Sequence, residues 1–288
     1  MISITDIHIR DPFVVCHDGK YILYASSGHG VMAYVSDDLI TFADPVPVFT
    51  PPCGFWATKD YWAPEVHTFR GAWYLFLSLK SEDACRGTQI FRSSGLPPFD
   101  GAAFVPLSDG PVTPRDWECL DGTLWEEDGV PYIVFCHEWV QVGDGEICAM
   151  PLTDDLRVPA GEAKLLFRAS DALWPKAFAS ARNGRTDNRV TDGPFLFRTE
   201  SGALVMLWSS SSAEHGYVQA AAVSESGRLA GPWRHDHPLL FTGDGGHGMM
   251  FTDTAGTRRI VLHAPNRGAL ERARIFTLAG DGGVLTLR

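Results

Sequence analysis

Five polar residues stand at the heads of five similar phrases: Asp11, Glu65, Asp121, Asp192 and His247. Their settings are Arg10-Asp11-Pro12-Phe13, Trp62-Ala63-Pro64-Glu65, Leu120-Asp121-Gly122-Thr123, Thr191-Asp192-Gly193-Pro194 and Gly246-His247-Gly248-Met249. Four carboxyls and an imidazole delivered to one pocket would shift one another's proton affinities. One acid would then stay protonated near neutral pH while another is ionised. Hydrolysis of a glycosidic bond needs that division: one acid protonates the leaving oxygen, and a carboxylate activates water or attacks carbon. A carboxyl separation of roughly 6.5–9.5 Å gives inversion, and one of roughly 5–5.5 Å gives retention. The competing reading is that an Asp before Gly or Pro at a strand edge only shapes a turn. Four acids in one register weigh against it.

The elements that carry these residues repeat. Phe13 to Val15, a turn at His17-Asp18-Gly19 and Tyr21 to Tyr24 read as strand, turn and strand. The pattern returns around Arg70-Gly71, Asp128-Gly129, Ser201-Gly202 and Ala255-Gly256, and the five polar residues differ in number by 54, 56, 71 and 55. Third-strand signals follow at Val31 to Val35, Gln89 to Arg92, Ile147 to Met150, Gln219 to Val223 and Ile275 to Leu278. They run into turns such as Ser93-Ser94-Gly95-Leu96 and Gly280-Asp281-Gly282. Outer strands are expected at Val46 to Phe49, Val105 to Leu107, Lys164 to Phe167 and Pro238 to Phe241. The expectation is an all-β chain, one five-bladed β-propeller of four-stranded blades over residues 1–288. The fifth blade shows no clear fourth strand, so either Ile2 to Thr5 completes it or the ring closes without a swapped strand. Residues 170–189 read as a long surface loop near one face of the ring. In a propeller the first strand of each blade lines the axis, so equal registers converge there.

A net charge of −11 argues against a nucleic-acid backbone or an anionic membrane surface as partner. The six cysteines fall in no metal spacing and read as thiols, those at Cys16, Cys136 and Cys148 as buried ones. The N-terminus lacks the features of a signal peptide, and no apolar run approaches the ~20 residues that span a bilayer, so a cytoplasmic location is expected. Gly243 to Gly248 fits G-x-G-x-x-G, but a strand pattern follows it rather than a helix. Ser209 to Ser212 lacks the G-x-S-x-G setting of a nucleophile.

The motifs together resemble glycoside hydrolase family 43, along nearly the whole chain. The resemblance implies a five-bladed propeller that cleaves arabinofuranosyl or xylosyl linkages with inversion. It implies Asp11 as general base and Asp121 as the residue that orients the acid and tunes its pKa. Asp192 falls where the family usually has the Glu that serves as general acid. His247 falls where a histidine faces an axial metal, commonly calcium. Asp192 is one methylene shorter than Glu, which sets its carboxyl roughly 1–1.5 Å back. The backbone compensates, or Glu138 acts instead, or catalysis is weak. Glu65 is expected to accept hydrogen bonds from sugar hydroxyls, with an arginine partner as the alternative. Trp62 and Trp139 are expected as stacking platforms, Trp125 and Trp208 as core, and Trp56 and Trp174 as rim. His137 and His263, at second-strand ends, are expected to support the site residues from behind or to be structural. The substrate is expected to be an oligosaccharide of plant type, cut by an exo-acting α-L-arabinofuranosidase or β-xylosidase. An endo-arabinanase, a galactan-cleaving enzyme and a non-catalytic sugar-binding propeller are the alternatives, and no organic cofactor is expected.

Overall fold

The computed structural model describes residues 1–95, 97–101, 103–281 and 284–288. Leu96 and Gly282, which the sequence places in turns, lie outside the described residues. The strands form five antiparallel sheets arranged as the blades of a propeller. The innermost strands are Phe13–His17, Lys59–Phe69, Cys119–Glu127, Asp192–Arg198 and Gly246–Thr252. Each opens its blade, as the register argument requires, because successive blades repeat the same meander. Second strands such as Leu204–Ser212 are buried almost throughout, being sandwiched between neighbouring blades.

The hydrophobic core lies between blades rather than at one centre. One cluster joins the first, second and fifth blades through Phe49, Phe91 and Phe251. Another joins the third and fourth, where Trp208 is fully buried against Phe167 at 5.4 Å and Trp174 at 4.8 Å. Trp208 is therefore core as expected, whereas Trp174, expected at the rim, is drawn in to cover it.

Two outer-strand expectations resolve differently. In the fourth blade the outer strand is Trp233–Arg234, and the stretch from Pro238 to Phe241 touches the sheet only at a bridge between Gln219 and Phe241. Trp233 anchors the earlier segment by burying its ring, while Pro238 has no N–H to give a ladder. In the fifth blade Val284–Leu287 pairs with the end of Arg272–Asp281, so no swapped strand is needed. Ile2–Ser3 instead pairs with Thr41–Phe42 in the first blade. The ring is closed by the segment that follows. Ile9 N–H donates to Glu271 O at 3.2 Å, Arg272 Nε to Thr5 O at 2.8 Å, and Arg10 Nη1 to Glu271 Oε1 at 2.9 Å.

All six cysteines are free, and Cys16 is half-buried rather than buried. Among the described residues no helix is long and apolar enough to cross a membrane.

Candidate active site

Asp11, Ala63, Asp121, Gly193 and His247 share one backbone signature, a left-handed φ between 46° and 56°. In blades two to five the pairing with the second strand skips at this point, at Trp62/Glu65, Leu120/Thr123, Asp192/Phe195 and Gly246/Met249. The repeat is thus a bulge at the mouth of each innermost strand, which turns one side chain toward the axis. Asp and His tolerate that conformation better than most residues, and Gly carries no penalty. The structure corrects the register read from the sequence. Glu65 stands two residues past its blade's bulge residue, Ala63, and Asp192 stands one before Gly193.

The displacement of Asp192 has a steric cause. A Cβ on Gly193 would lie 2.7 Å from Cδ2 of His247, so no side chain fits at that position. The acid of the fourth blade must come from the neighbouring residue, which is paired with Ser209 in the ladder.

Asp11 is enclosed by cations and donors. Its Oδ1 lies 3.1 Å from Nδ1 of His247 and 3.6 Å from Nε of Arg10. Its backbone N–H donates to Nδ1 of His263 at 3.3 Å, and Nε2 of His263 faces Asn266 Oδ1 at 3.3 Å. That pattern suits a neutral His263 protonated on Nε2, and burial lowers its pKa to about 4. Burial alone would raise the Asp11 pKa, but His247 and Arg10 outweigh it and hold the carboxyl well below the usual range. Among the acids of the cluster Asp11 is the one whose ionised form is favoured.

Asp121 and Asp192 are pushed the other way. Burial comes first for both, and each is then raised by neighbouring carboxylates, to about 6 for Asp121 and about 7 for Asp192. Asp121 Oδ2 accepts from Gly193 N–H at 3.0 Å and lies 3.9 Å from His247 Nδ1. Its own N–H donates to Ser78 Oγ at 2.8 Å. Asp192 Oδ2 accepts from the Tyr217 hydroxyl at 3.0 Å. The Tyr217 ring stacks on His263 at 5.5 Å and 17°, which ties the setting of Asp192 to that of Asp11. The cluster therefore holds one carboxylate fixed as a base beside one carboxyl poised to give up a proton near neutrality. That is the equipment of general acid–base hydrolysis.

The model of the family described as glycosyl hydrolases family 43 matches residues 3–278. The chain belongs to glycoside hydrolase family 43. Among solved structures it is similar to an endo-arabinase from Bacteroides thetaiotaomicron VPI-5482, at 37% identity over 99% of each chain and a TM-score of 0.91. It is also similar in fold to a thermostable family-43 glycoside hydrolase, at 23% identity over 98% of this chain and 93% of that one, with a TM-score of 0.78. An α-L-arabinofuranosidase from Lactobacillus brevis shares the fold at 17% identity over 99% and 97%, with a TM-score of 0.75. A search of curated proteins finds no match.

Within this family-43 chain the other anticipated residues divide. Trp62 is 43% exposed and lines a cleft of about 410 Å³ with Arg86, Glu138 and Arg182. Glu138 is buried, is ion-paired with Arg86, and has its pKa raised by burial against the pull of Arg86. The neighbouring charge of Asp192 adds to that rise. Trp139 turns away from the cleft. It packs edge-on to Phe178 at 4.9 Å, its carbonyl accepts from Asn183, and Arg182 lies over its ring, all from the long loop. Glu65 is 5% exposed and bonded to His67 Nε2 at 2.8 Å inside the channel. It is a buried partner of His67 that lines a small channel pocket together with Asp11 and His247, and among the described residues no arginine pairs with it. His137 is structural, held by Glu146 and Gln141 under Trp117.

Arg10 and Tyr217 carry no role in the sequence reading, and His263 carries only a supporting or structural one. Arg10 was visible as the neighbour of Asp11. His263 ends a second strand, which returns to the mouth of the ring, and that position was a usable signal. Tyr217 opens a third strand on the same side, and only the topology brings it to Asp192.

Calcium favours six to eight oxygen ligands. Nδ1 of His247 instead faces the Asp11 carboxylate, and Asp11 with Asp121 outweighs burial to raise the imidazole pKa to about 10. With Nδ1 turned to Asp11, a metal at His247 would have to meet Nε2 and take its remaining ligands from oxygen.

Proposed function

We propose that this family-43 chain is an inverting hydrolase of arabinofuranosyl linkages. Asp11 takes a proton from the attacking water as that water reaches the anomeric carbon. Asp192 gives its proton to the leaving oxygen. Asp121 raises the proton affinity of Asp192 and holds the Gly193 amide that follows it. His247, as imidazolium, keeps Asp11 ionised and accepts no metal in this scheme. The observation that carries the reading is geometric: the Asp11 carboxylate lies against His247 Nδ1 at 3.1 Å and beside Arg10, while the buried Asp192 is held by the Tyr217 hydroxyl at 3.0 Å and pushed toward its protonated form by burial and by Asp121. It also favours Asp192 over Glu138 as the acid, because Glu138 is locked to Arg86.

Similarity at 37% identity to a structure named endo-arabinase supports arabinose over xylose. It moves the preferred mode from release of end sugars toward internal cleavage. Digestion of linear α-1,5-arabinan tests both points. Early release of mixed oligomers supports internal cleavage, and arabinose alone supports end release. Proton NMR of the first product reads the anomer, and Asp11→Ala abolishes turnover. Sugar binding without hydrolysis in the unaltered protein would replace the enzyme by a lectin.

A further inference from the structure

Arg86 sits at the entrance to the third strand of the second blade, beside Gly87–Ser93, and is only 6% exposed. Its Nη2 donates to Asp60 Oδ2 at 2.7 Å, and its Nη1 is ion-paired with Glu138, with Glu118 at 3.9 Å. Its guanidinium carbon lies 4.4 Å from the centre of the Trp62 ring. One face of that indole is therefore covered by a planar cation, and the ring is left exposed on the side of the cleft that both residues line. The guanidinium is held from the second blade by Asp60 and from the third by Glu138. Trp62, at the mouth of its strand next to the left-handed Ala63, pairs with Ser78 in the ladder, but its indole N–H has no hydrogen bond among the described residues.

We propose that Arg86 is a positioning residue for sugar binding: it fixes the Trp62 ring as a rigid platform and ties that platform to the Glu138 wall of the cleft. The inference rests on the proposed sugar-cleaving function. A guanidinium does this better than an ammonium, because its flat face stacks on the indole while its edge bonds two carboxylates at once. Binding to a preset platform avoids the loss of side-chain freedom that a loose tryptophan would suffer on complex formation.

The test is a double-mutant cycle on linear arabino-oligosaccharide. KM and kcat are measured in the active protein, and Kd by calorimetry in an Asp11→Asn background, so that the readout survives if turnover is absent. Arg86→Lys keeps the charge and loses the fork. It should raise KM and Kd about tenfold, the scale of a desolvated cation–π contact, with kcat within about twofold. Asp60→Asn is nearly isosteric at a backbone position that Asn tolerates (φ 59°) and protects against a misfolded Arg86 variant; about threefold is expected. Trp62→Ala should weaken binding at least as much as Arg86→Lys, and the double variant should match Trp62→Ala alone. Multiplying effects in the double variant, or a fall in kcat with KM and Kd unchanged in both Arg86→Lys and Asp60→Asn, would overturn the proposal. Loss of turnover in the unaltered protein with the Kd pattern intact would instead remove the hydrolase reading and leave this one standing.

Discussion

Gly193 lies against the imidazole of His247 so closely that a β-carbon there would sit 2.7 Å from Cδ2 and 3.1 Å from Nε2. The imidazole cannot simply swing aside, because its Nδ1 faces Asp11 and its backbone N–H is bonded to Ser209 Oγ at 2.8 Å. Gly193→Ala should therefore push His247 off Asp11, with added strain from φ 53°. The expected result is a drop in kcat/KM of about a hundredfold, with about 1–3 kcal/mol lost from stability in a denaturant titration.

The pH dependence follows from two carboxyls. Asp11 stays ionised into strong acid and sets no limb in the working range. Asp192 must be protonated to act, and its pKa lies at about 7. Activity should hold level from about pH 5 to 6 and fall as pH rises through 7. A kcat/KM profile that instead rises through pH 7 would reverse the assignment of acid and base.

Tyr217→Phe tests the partner of that acid. The hydroxyl donates to Asp192 Oδ2 and so favours the charged form. Removing it should raise the Asp192 pKa and move the alkaline limb upward by about 0.5–1 unit. The limiting rate should fall severalfold because the carboxyl loses its orientation.

Replacing the acid should stabilise the fold above neutrality. The folded pKa of Asp192 is raised from 3.8 to about 7. The corresponding stability is present below 3.8 and is lost as pH rises through 7. Asparagine does not titrate. Asp192→Asn should thus gain in melting temperature over the unaltered protein less at pH 5 than at pH 8, by about 2–4 °C for each kcal/mol relieved. A smaller difference at pH 8 than at pH 5 would contradict the raised pKa.

Chelation distinguishes a proton from a metal at His247. Dialysis against EDTA should leave kcat/KM within about twofold, and added calcium should not increase it. A calcium-dependent loss and recovery would show that a metal ion acts at the site.

Much of this architecture was legible because a propeller repeats one phrase. Asp11, Asp121 and His247 were found by type, since few residues other than Asp, Asn, His and Gly enter a left-handed bulge easily. The exact register was not legible. A bulge inserts one residue without changing residue type, so Glu65 and Asp192 looked equivalent to Asp11 while standing two and one positions away from the turn. The sign of φ at Ala63 had no signature at all. Glu65 read as a sugar contact because burial depth along a strand is set by neighbouring blades. Trp139 read as a platform because its engagement by Phe178 depends on how a long loop folds back. His263 and Tyr217 come from strands that run back to the axis, and a search confined to innermost strands passes over them.

The closure of the ring has a consequence for timing. Arg10 is anchored by Glu271 and Asn266, and the Asp11 amide by His263, partners that follow 252 to 261 positions later in the chain. A nascent or partly assembled chain therefore carries its base without the groups that arm it. The setting of Asp11 is complete only when the fifth blade is in place.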